Sequence, residues 1–346
     1  MADNFVHLHV HSEFSLLDGI TPVPEIVDRA KELGMGAVAL TDHGNMFGLV
    51  KLFEKAKKEG IKPILGCEVY VAPRRMVDKE HPYDKDFYHL LLLVKNNQGY
   101  KNITKIVSSA FLKGFYYKPR TDREFLEAHS DGLIACSACL GGQVAQLIQQ
   151  EKIEEAKEAA LWHQRTFGEG NYYLEIMDHG LEGQKIVNNA LYDMSREISI
   201  PLVATNDVHY LAPDGARVQD VMMCIQKGKT VTDISDEEAR SKSAGDDSID
   251  NYGRVATDTD SFSFASSEFY LKSGEEMRQV FPDHPEALAA TAQIADKVDF
   301  ELELGNIYLP YFEVPDGKTD DDYLRELTYE GLERKYPEIT QDMRER

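Results

Sequence analysis

Short apolar runs recur between residues 5 and 206, and each stretch between them is patterned for helices or turns. FVHLHV at 5–10, AVALT at 37–41, PILG and VYVA around 63–72, LLLLV at 90–94, GLIAC at 132–136, YYLEIM at 172–177 and LVATN at 202–206 read as strands. After the first run, Val23, Ile26, Val27, Ala30 and Leu33 have helical spacing; Thr21 can cap that helix, Pro22 suits its first position and Gly34 ends it. A second helix is expected from about Met46 to Glu59, and more helix across 142–167. Strands alternating with helices mean parallel βαβ units. About seven units before residue 226 predict an α/β fold closed into a (β/α) barrel, with an open sheet left available by periodicity alone.

The length of 346 residues predicts two domains, or one large domain with an appendage. No apolar run reaches the roughly 18 residues that a membrane span needs, so no membrane partner is expected. MADNFVHLHV lacks the basic and apolar regions of a signal peptide. Cys67, Cys136, Cys139 and Cys224 form no disulfide framework, which fits a reducing cytoplasmic setting. The net charge of −22 argues against binding nucleic acid through an overall field. Local charge differs: from Lys95 to Arg123 seven bases face one acid, while from Asp233 to Asp260 nine acids face three bases. The acidic stretch 233–262 reads as a mobile surface loop. After Pro310 the pattern becomes a linker followed by the first helix of another unit, as in a fragment of a longer protein.

Three histidines, His7, His9 and His11, alternate with Val6, Leu8 and Val10 in the first run and so share one face of a strand. Functional groups in parallel barrels gather at the C-terminal ends of strands. His9 and His11 are therefore the better metal ligands, and His7, one layer deeper, is a packing or supporting residue. Other runs also carry such groups at one end: Asp42 and His43, Glu68, His89, Cys139, then Asp207 and His209 two apart, with Asp18 in the turn after the first strand. Imidazole with carboxylate suits Zn, Mn or Fe, and a thiolate tilts toward Zn. These groups are too many for one tetrahedral ion and imply two or three divalent ions bridged by carboxylate.

The motifs HLHVHSEFSLLDG, TDHGNMFGLVKLF, GCEVYVA, HLLLLVKNNQGY, GFYYKPRTD, SACLGG and ATNDVHY resemble the polymerase-and-histidinol-phosphatase (PHP) domain family. More narrowly, nearly the whole chain resembles the N-terminal part of the C-family bacterial replicative polymerases. The resemblance implies a distorted seven-stranded (β/α) barrel over residues 1–300, with 301–346 a linker and the beginning of a polymerase palm. It implies nine ligands: His9, His11, Asp18, His43, Glu68, His89, Cys139, Asp207 and His209. Cys139 fits the family's SxCL pattern, whereas Cys136 lies within a strand and is packed.

Such a centre activates water toward phosphorus, so the implied reaction is phosphodiester or phosphomonoester hydrolysis. In the polymerase context that means 3′→5′ exonuclease proofreading. Polymerisation itself needs palm carboxylates beyond residue 346. The implied partners are the single-stranded 3′ end of DNA, the remaining polymerase domains, and replicase subunits such as a sliding clamp or a proofreading subunit. The KGFYYKPR segment offers Lys113, Tyr116, Tyr117, Lys118 and Arg120 as contacts to a single strand, with a packed loop as the plain alternative. Two other functions fit the same chain: a histidinol-phosphate-type phosphatase, and a silent module that stabilises a polymerase or docks a proofreading subunit. His81, His129, His163, His179 and His284 are expected to be structural or at the surface.

Overall fold

A computed structural model describes residues 5–16, 18–227, 266–307, 309–315 and 317–346. The chain divides into a unit spanning Met1–Glu301 and a unit spanning Leu302–Arg346. The acidic stretch 233–262 lies outside the described residues.

In the first unit, helix α1 (Val23–Glu32) precedes strand β1 (Ala37–Leu40); α2 (Leu49–Glu59) leads to β2 (Lys62–Val71), and β3 (Tyr88–Val94) follows it with no helix between. Then come α3 (Asn97–Leu112), a hairpin of β4 (Phe115–Tyr116) and β5 (Lys118–Thr121), α4 (Arg123–Ala128), β6 (Leu133–Cys136), α5 (Gln143–Gln149), α6 (Ile153–Phe167), β7 (Tyr172–Ile176), α7 (Glu182–Ile198), β8 (Leu202–Ala204) and α8 (Gly215–Lys227). The sheet runs β2-β3-β6-β7-β8, with β1 parallel to β2 on its other side. Residues 5–11 close the gap. Val10 carbonyl accepts from Thr41 N and His7 carbonyl from Ala39 N, while Val208 N and His11 N exchange bonds with His9 and Val208 carbonyls. The result is a distorted α/β barrel of six strands, β1, β2, β3, β6, β7 and β8, closed by the extended segment 5–11.

Four expectations need correction. Residues 5–10 are extended but form no regular strand; only the bridge Val10–Val208 gives them ladder pairing. PILG and VYVA are one ten-residue strand, β2. The units are not all parallel: β3 is antiparallel to both β2 and β6. Without a helix to carry the chain back, the strand after β2 returns in the opposite sense. Finally, Pro22 itself occupies the cap of α1 and Thr21 makes no side-chain cap bond.

The core has two layers. One lies between the strands and the outer helices. The other fills the barrel with Val6, Leu8, Ala37, Ala39, Ile64, Leu91, Leu93, Ile134, Cys136, Tyr173 and Val203, and with Ala290, Ile294 and Val298 on or just after the helix Pro285–Lys297. Following these inner positions by twos toward one mouth gives Glu68 after Ile64, His89 before Leu91, Glu175 after Tyr173, and Thr205 and Asp207 after Val203. The barrel is thus apolar low down and polar at that mouth. The reversal of β3 explains why His89, at a strand's start, reaches the end where its neighbours finish: Tyr70 pairs with His89.

The second unit contains the helices Asp320–Lys335 and Gln341–Glu345, capped by the Thr319 and Thr340 side chains, which accept from Asp322 N and Met343 N. Among the described residues no helix is long and apolar enough to cross a membrane.

Candidate metal centre

The loop 11–19 folds over the mouth and returns tightly: a Cβ on Gly19 would lie 2.1 Å from the Ser12 carbonyl oxygen, so only glycine fits there. Asp42 organises this loop. Its carboxylate accepts from Ser12 N at 2.7 Å, Ser12 Oγ at 2.8 Å and Ser15 Oγ at 2.7 Å. Asp42 therefore serves the loop, while its neighbour His43 faces the mouth.

All nine residues singled out above meet there. His9 Nε2 lies 3.4 Å from Glu68 Oε1 and 3.3 Å from Asp207 Oδ1, and His11 Nε2 lies 3.1 Å from the same Asp207 oxygen. His43 reaches Glu68 Oε2 with Nδ1 at 2.5 Å and Asp18 Oδ1 with Nε2 at 3.3 Å. His209 Nε2 is 3.8 Å from Asp18 Oδ1. On the far side His89 Nδ1 is 3.0 Å from Glu68 Oε1, and the Cys139 sulfur is 3.5 Å from that nitrogen. Among the described residues three sets have ligand atoms within 4.8 Å of one another: His11 with His43 and His209, His9 with His11 and Asp207, and Glu68 with His89 and Cys139. Cys136 belongs to the apolar layer below.

These donors fit divalent metal. His9 Nε2, His11 Nε2, Asp18 Oδ1, His43 Nδ1, Glu68 Oε2 and Asp207 Oδ1 are buried and meet opposite-charge partners of the same cluster at ion-pair distance, without the geometry of good hydrogen bonds. A divalent cation can be shared by several imidazole nitrogens and carboxylate oxygens at once, which a single proton cannot.

Supporting bonds aim the imidazoles. His9 Nδ1–H donates to Glu175 Oε1 at 2.8 Å, and Glu175 also accepts from Thr205 Oγ at 2.6 Å and Ala138 N at 2.9 Å. Ser15 donates its one hydroxyl hydrogen to Asp42, so at 2.9 Å it must accept from His11 Nδ1–H. His209 Nδ1–H donates to the Asp207 carbonyl at 2.7 Å. When neutral, all three imidazoles then present Nε2 as a lone pair. Asp207 has φ +41° and Ala138 φ +64°, left-handed conformations beside the cluster.

Charge is balanced by opposed shifts. Burial lowers the His11 pKa to about 3, reinforced by His43 and His209. Burial disfavours charge on His43 too, but Asp18 and Glu68 outweigh it and raise the pKa to about 10. His9 is likewise raised, Asp207 and Glu175 overcoming burial. Asp18, Glu68 and Asp207 stay well below the usual carboxylate range because the surrounding imidazoles outweigh their burial. Burial, then Glu68 and Asp207, pushes the Cys139 thiol well up. Protons on His9 and His43 thus stand where cations would, and binding a cation must expel them.

Sequence reasoning missed Glu175, Thr205 and the Ser15–Asp42 pair. Glu175 had left a signal, a carboxylate inside the otherwise apolar YYLEIM run. His7 turns away from the cluster to the Lys272 carbonyl at 2.8 Å. Of the nucleic-acid candidates, Lys113 and Tyr117 are exposed and Tyr116 and Lys118 half-buried. Arg120 is a correction: it is fully buried and donates to the carbonyls of Asp84, Asp78, Met76 and Gly114. Its guanidinium satisfies backbone acceptors and cannot meet a phosphate. His163 and His179 are core residues, lowered to about 3 first by burial.

The fold and site define an α/β barrel with a buried imidazole, carboxylate and thiol cluster suited to divalent metal at one mouth. Residues 7–179 match the family model of the PHP domain, and the chain belongs to that family. It is 42% identical over 345 residues to DNA polymerase III subunit alpha of Borreliella burgdorferi, covering 99% of this chain and 28% of that protein. The subunit alpha of Treponema pallidum is 39% identical, covering 99% and 27%, and that of Thermus aquaticus 39%, covering 96% and 26%. The chain thus spans about a quarter of the length of these relatives. An amidohydrolase structure from Chromobacterium violaceum covers 59% of this chain and 87% of its own at 16% identity and a TM-score of 0.34, too slight a likeness to inform fold or function.

Proposed function

We propose that this chain is a metal-dependent phosphoesterase whose ligands are His9, His11, Asp18, His43, Glu68, His89, Cys139, Asp207 and His209, holding two or three divalent ions. The observation that carries the reading is the crowding of buried imidazole, carboxylate and thiol ligand atoms at one mouth, in three groups each within 4.8 Å among the described residues. Bound ions would supply Lewis-acid polarisation of a phosphoryl group and activation of water. The protein's own part is orientation: Glu175 and Ser15 hold His9 and His11 with Nε2 presented, and the apolar layer below keeps bulk water out. Zinc is favoured over manganese or iron because the Cys139 thiol lies within 4.8 Å of ligand atoms of His89 and Glu68, and thiolate prefers zinc.

With polymerase III alpha subunits as relatives, the substrate is the single-stranded 3′ end of DNA and the reaction 3′→5′ exonucleolytic proofreading. The chain then works beside the remaining polymerase domains in the cytoplasm, with a sliding clamp or proofreading subunit reached through the full protein. The test joins metal analysis to hydrolysis of single-stranded DNA and of histidinol phosphate, each with and without chelator. At least two equivalents of metal and chelator-sensitive cleavage of DNA are expected, lost in His9→Ala. Asp207→Asn with His209→Ala should lower the metal count. Preference for histidinol phosphate would indicate a small-molecule phosphatase, and bound metal without hydrolysis a structural module.

A further inference from the structure

The rim of the cluster carries aromatic and cationic side chains that the ligand set does not use. They centre on the β4–β5 hairpin, which is joined to the wall of the site: β5 pairs with the end of β2, Tyr70 opposite Arg120 and Val71 opposite Thr121. The Tyr70 ring lies 6.3 Å from His43 and 5.4 Å from His89 between centroids. The Lys118 ammonium lies 5.4 Å from the Tyr70 centroid. Lys118 therefore stands one aromatic ring away from two imidazoles of the cluster. The loop that presents His43 touches the same hairpin, since a Cβ on Gly44 would come 2.8 Å from the Tyr70 ring and 3.1 Å from Pro119.

The hairpin is braced from beneath. Buried Arg120 ties it to three carbonyls of the 76–84 segment and to Gly114, and its guanidinium lies 5.2 Å from the Tyr116 ring centroid. Tyr116 in turn meets Tyr117 edge-on at 4.6 Å. Tyr117, between the paired Tyr116 and Lys118, holds φ +59° and is 59% exposed. A bulky aromatic in the left-handed region is an outlier, and an exposed ring gains little packing to offset it. Of the five non-glycine residues with positive φ among the described residues, Asp207 and Ala138 belong to the cluster, and Tyr117 is the one large aromatic. The loops that carry Asp18 and His43 expose further apolar groups, Leu16 at 69% and Phe47 at 62%.

We propose that this hairpin is the strand-binding lip of the centre: Tyr117 stacks on an unpaired base of a single-stranded nucleic acid while Lys118 holds a neighbouring phosphate, presenting the terminal phosphodiester to the cluster. The inference rests on the phosphoesterase reading and assigns the residues that hold its single-stranded substrate. A small phosphomonoester would use the buried cluster and gain nothing from a ring projecting into solvent. A single strand offers a base face and a phosphate in every nucleotide, which a rigid aromatic beside an ammonium matches. The net charge of −22 adds weight to such local contacts, because the overall field repels nucleic acid.

The test is fluorescence anisotropy with the full metal-loaded chain and a 5′-labelled phosphorothioate oligothymidine of about twelve nucleotides, which resists cleavage and lies within the usual single-strand site size. Tyr117→Gly is expected to weaken binding about five- to hundredfold, and Tyr117→Phe by less than about twofold. Glycine relieves the left-handed strain, so a melting temperature at or above the parent's separates loss of the ring from loss of the fold. Lys118→Gln should reduce the log–log salt slope by roughly 0.7. A blunt duplex should bind more weakly and be indifferent to Tyr117. No binding by the unsubstituted chain at low salt overturns the proposal. Unchanged affinity in Tyr117→Gly overturns its stacking half and would point to a protein-docking or plain surface; an unchanged slope in Lys118→Gln overturns its phosphate half. Hydrolysis of bis-p-nitrophenyl phosphate by the unsubstituted chain tests the phosphoesterase reading apart from the lip. Its failure alongside Tyr117-dependent binding would leave a strand site without that chemistry.

Discussion

Glu175→Gln tests how the cluster is aimed, because it keeps shape and volume while changing one atom's hydrogen bonding. The carboxylate of Glu175 faces three donors: His9 Nδ1–H and Thr205 Oγ on one oxygen, Ala138 N on the other. An amide cannot satisfy all three. If its NH2 faces Ala138, two donors confront each other in a buried place, at a cost of about 1–3 kcal/mol. If it faces His9, the imidazole must move its proton to Nε2, and the His9 nitrogen aimed at Glu68 and Asp207 ceases to be a ligand. Loss of a supporting partner of this kind lowers metal affinity about 10- to 100-fold, or roughly 1.4–2.7 kcal/mol. Competition of the protein with a chromophoric chelator for Zn²⁺ would read the change, with the melting curve of the metal-free variant as the check on folding. A folded Glu175→Gln variant that binds Zn²⁺ within about twofold of the parent would refute both the orientation of His9 by Glu175 and the place of His9 among the ligands.

Chelation should lower the melting temperature, since Asp18, Glu68 and Asp207 share one buried volume and a ligand present at 100 times its Kd stabilises by about 2.7 kcal/mol; an unchanged midpoint with metal loss confirmed counts against this. Ser15→Ala removes the acceptor for His11 Nδ1–H, so nitrogen NMR of the metal-free protein should find His11 shifting between tautomers and metal binding severalfold weaker, and a single unchanged tautomer would exclude the relay. His163 has its pKa lowered to about 3, first by burial and then by Arg123. The unfolded chain takes up that proton near pH 6.5, so the stability His163 contributes is complete above that pH and is lost as pH falls toward 3, by about 1.4 kcal/mol per unit. His163→Phe keeps a ring beside Tyr172, which His163 stacks on at 5.2 Å. Urea unfolding should then find the loss between pH 7 and pH 5 smaller by about 2 kcal/mol in the variant; equal losses would show that His163 is not the titrating group.

Much of the site was legible because strand chemistry is local. Apolar runs with an imidazole, carboxylate or thiol at one end mark positions that a barrel must bring to a common mouth, and so His9, His11, His43, Glu68, His89, Cys139, Asp207 and His209 could be read one run at a time. The same reasoning failed for Arg120. Its neighbours are cationic and aromatic, and nothing local says that the guanidinium turns inward to carbonyls some 36 to 44 residues away. For His163 the sequence leaves structural and surface placements both open, because its burial depends on β7 and α6 meeting.

By itself, then, the sequence determined the α/β class, the order of runs and the residue types at their ends, since these follow from side-chain period and turn chemistry. Tertiary structure alone decided the direction of β3, the closure of the barrel through an irregular segment 5–11, and the partners Glu175 and Ser15 that fix which imidazole nitrogen faces inward. Those features depend on hydrogen bonds between groups far apart in the chain, such as Glu175 with His9, 166 residues away. No window along the sequence contains both ends of such a bond, and only the closed barrel brings them within 3 Å.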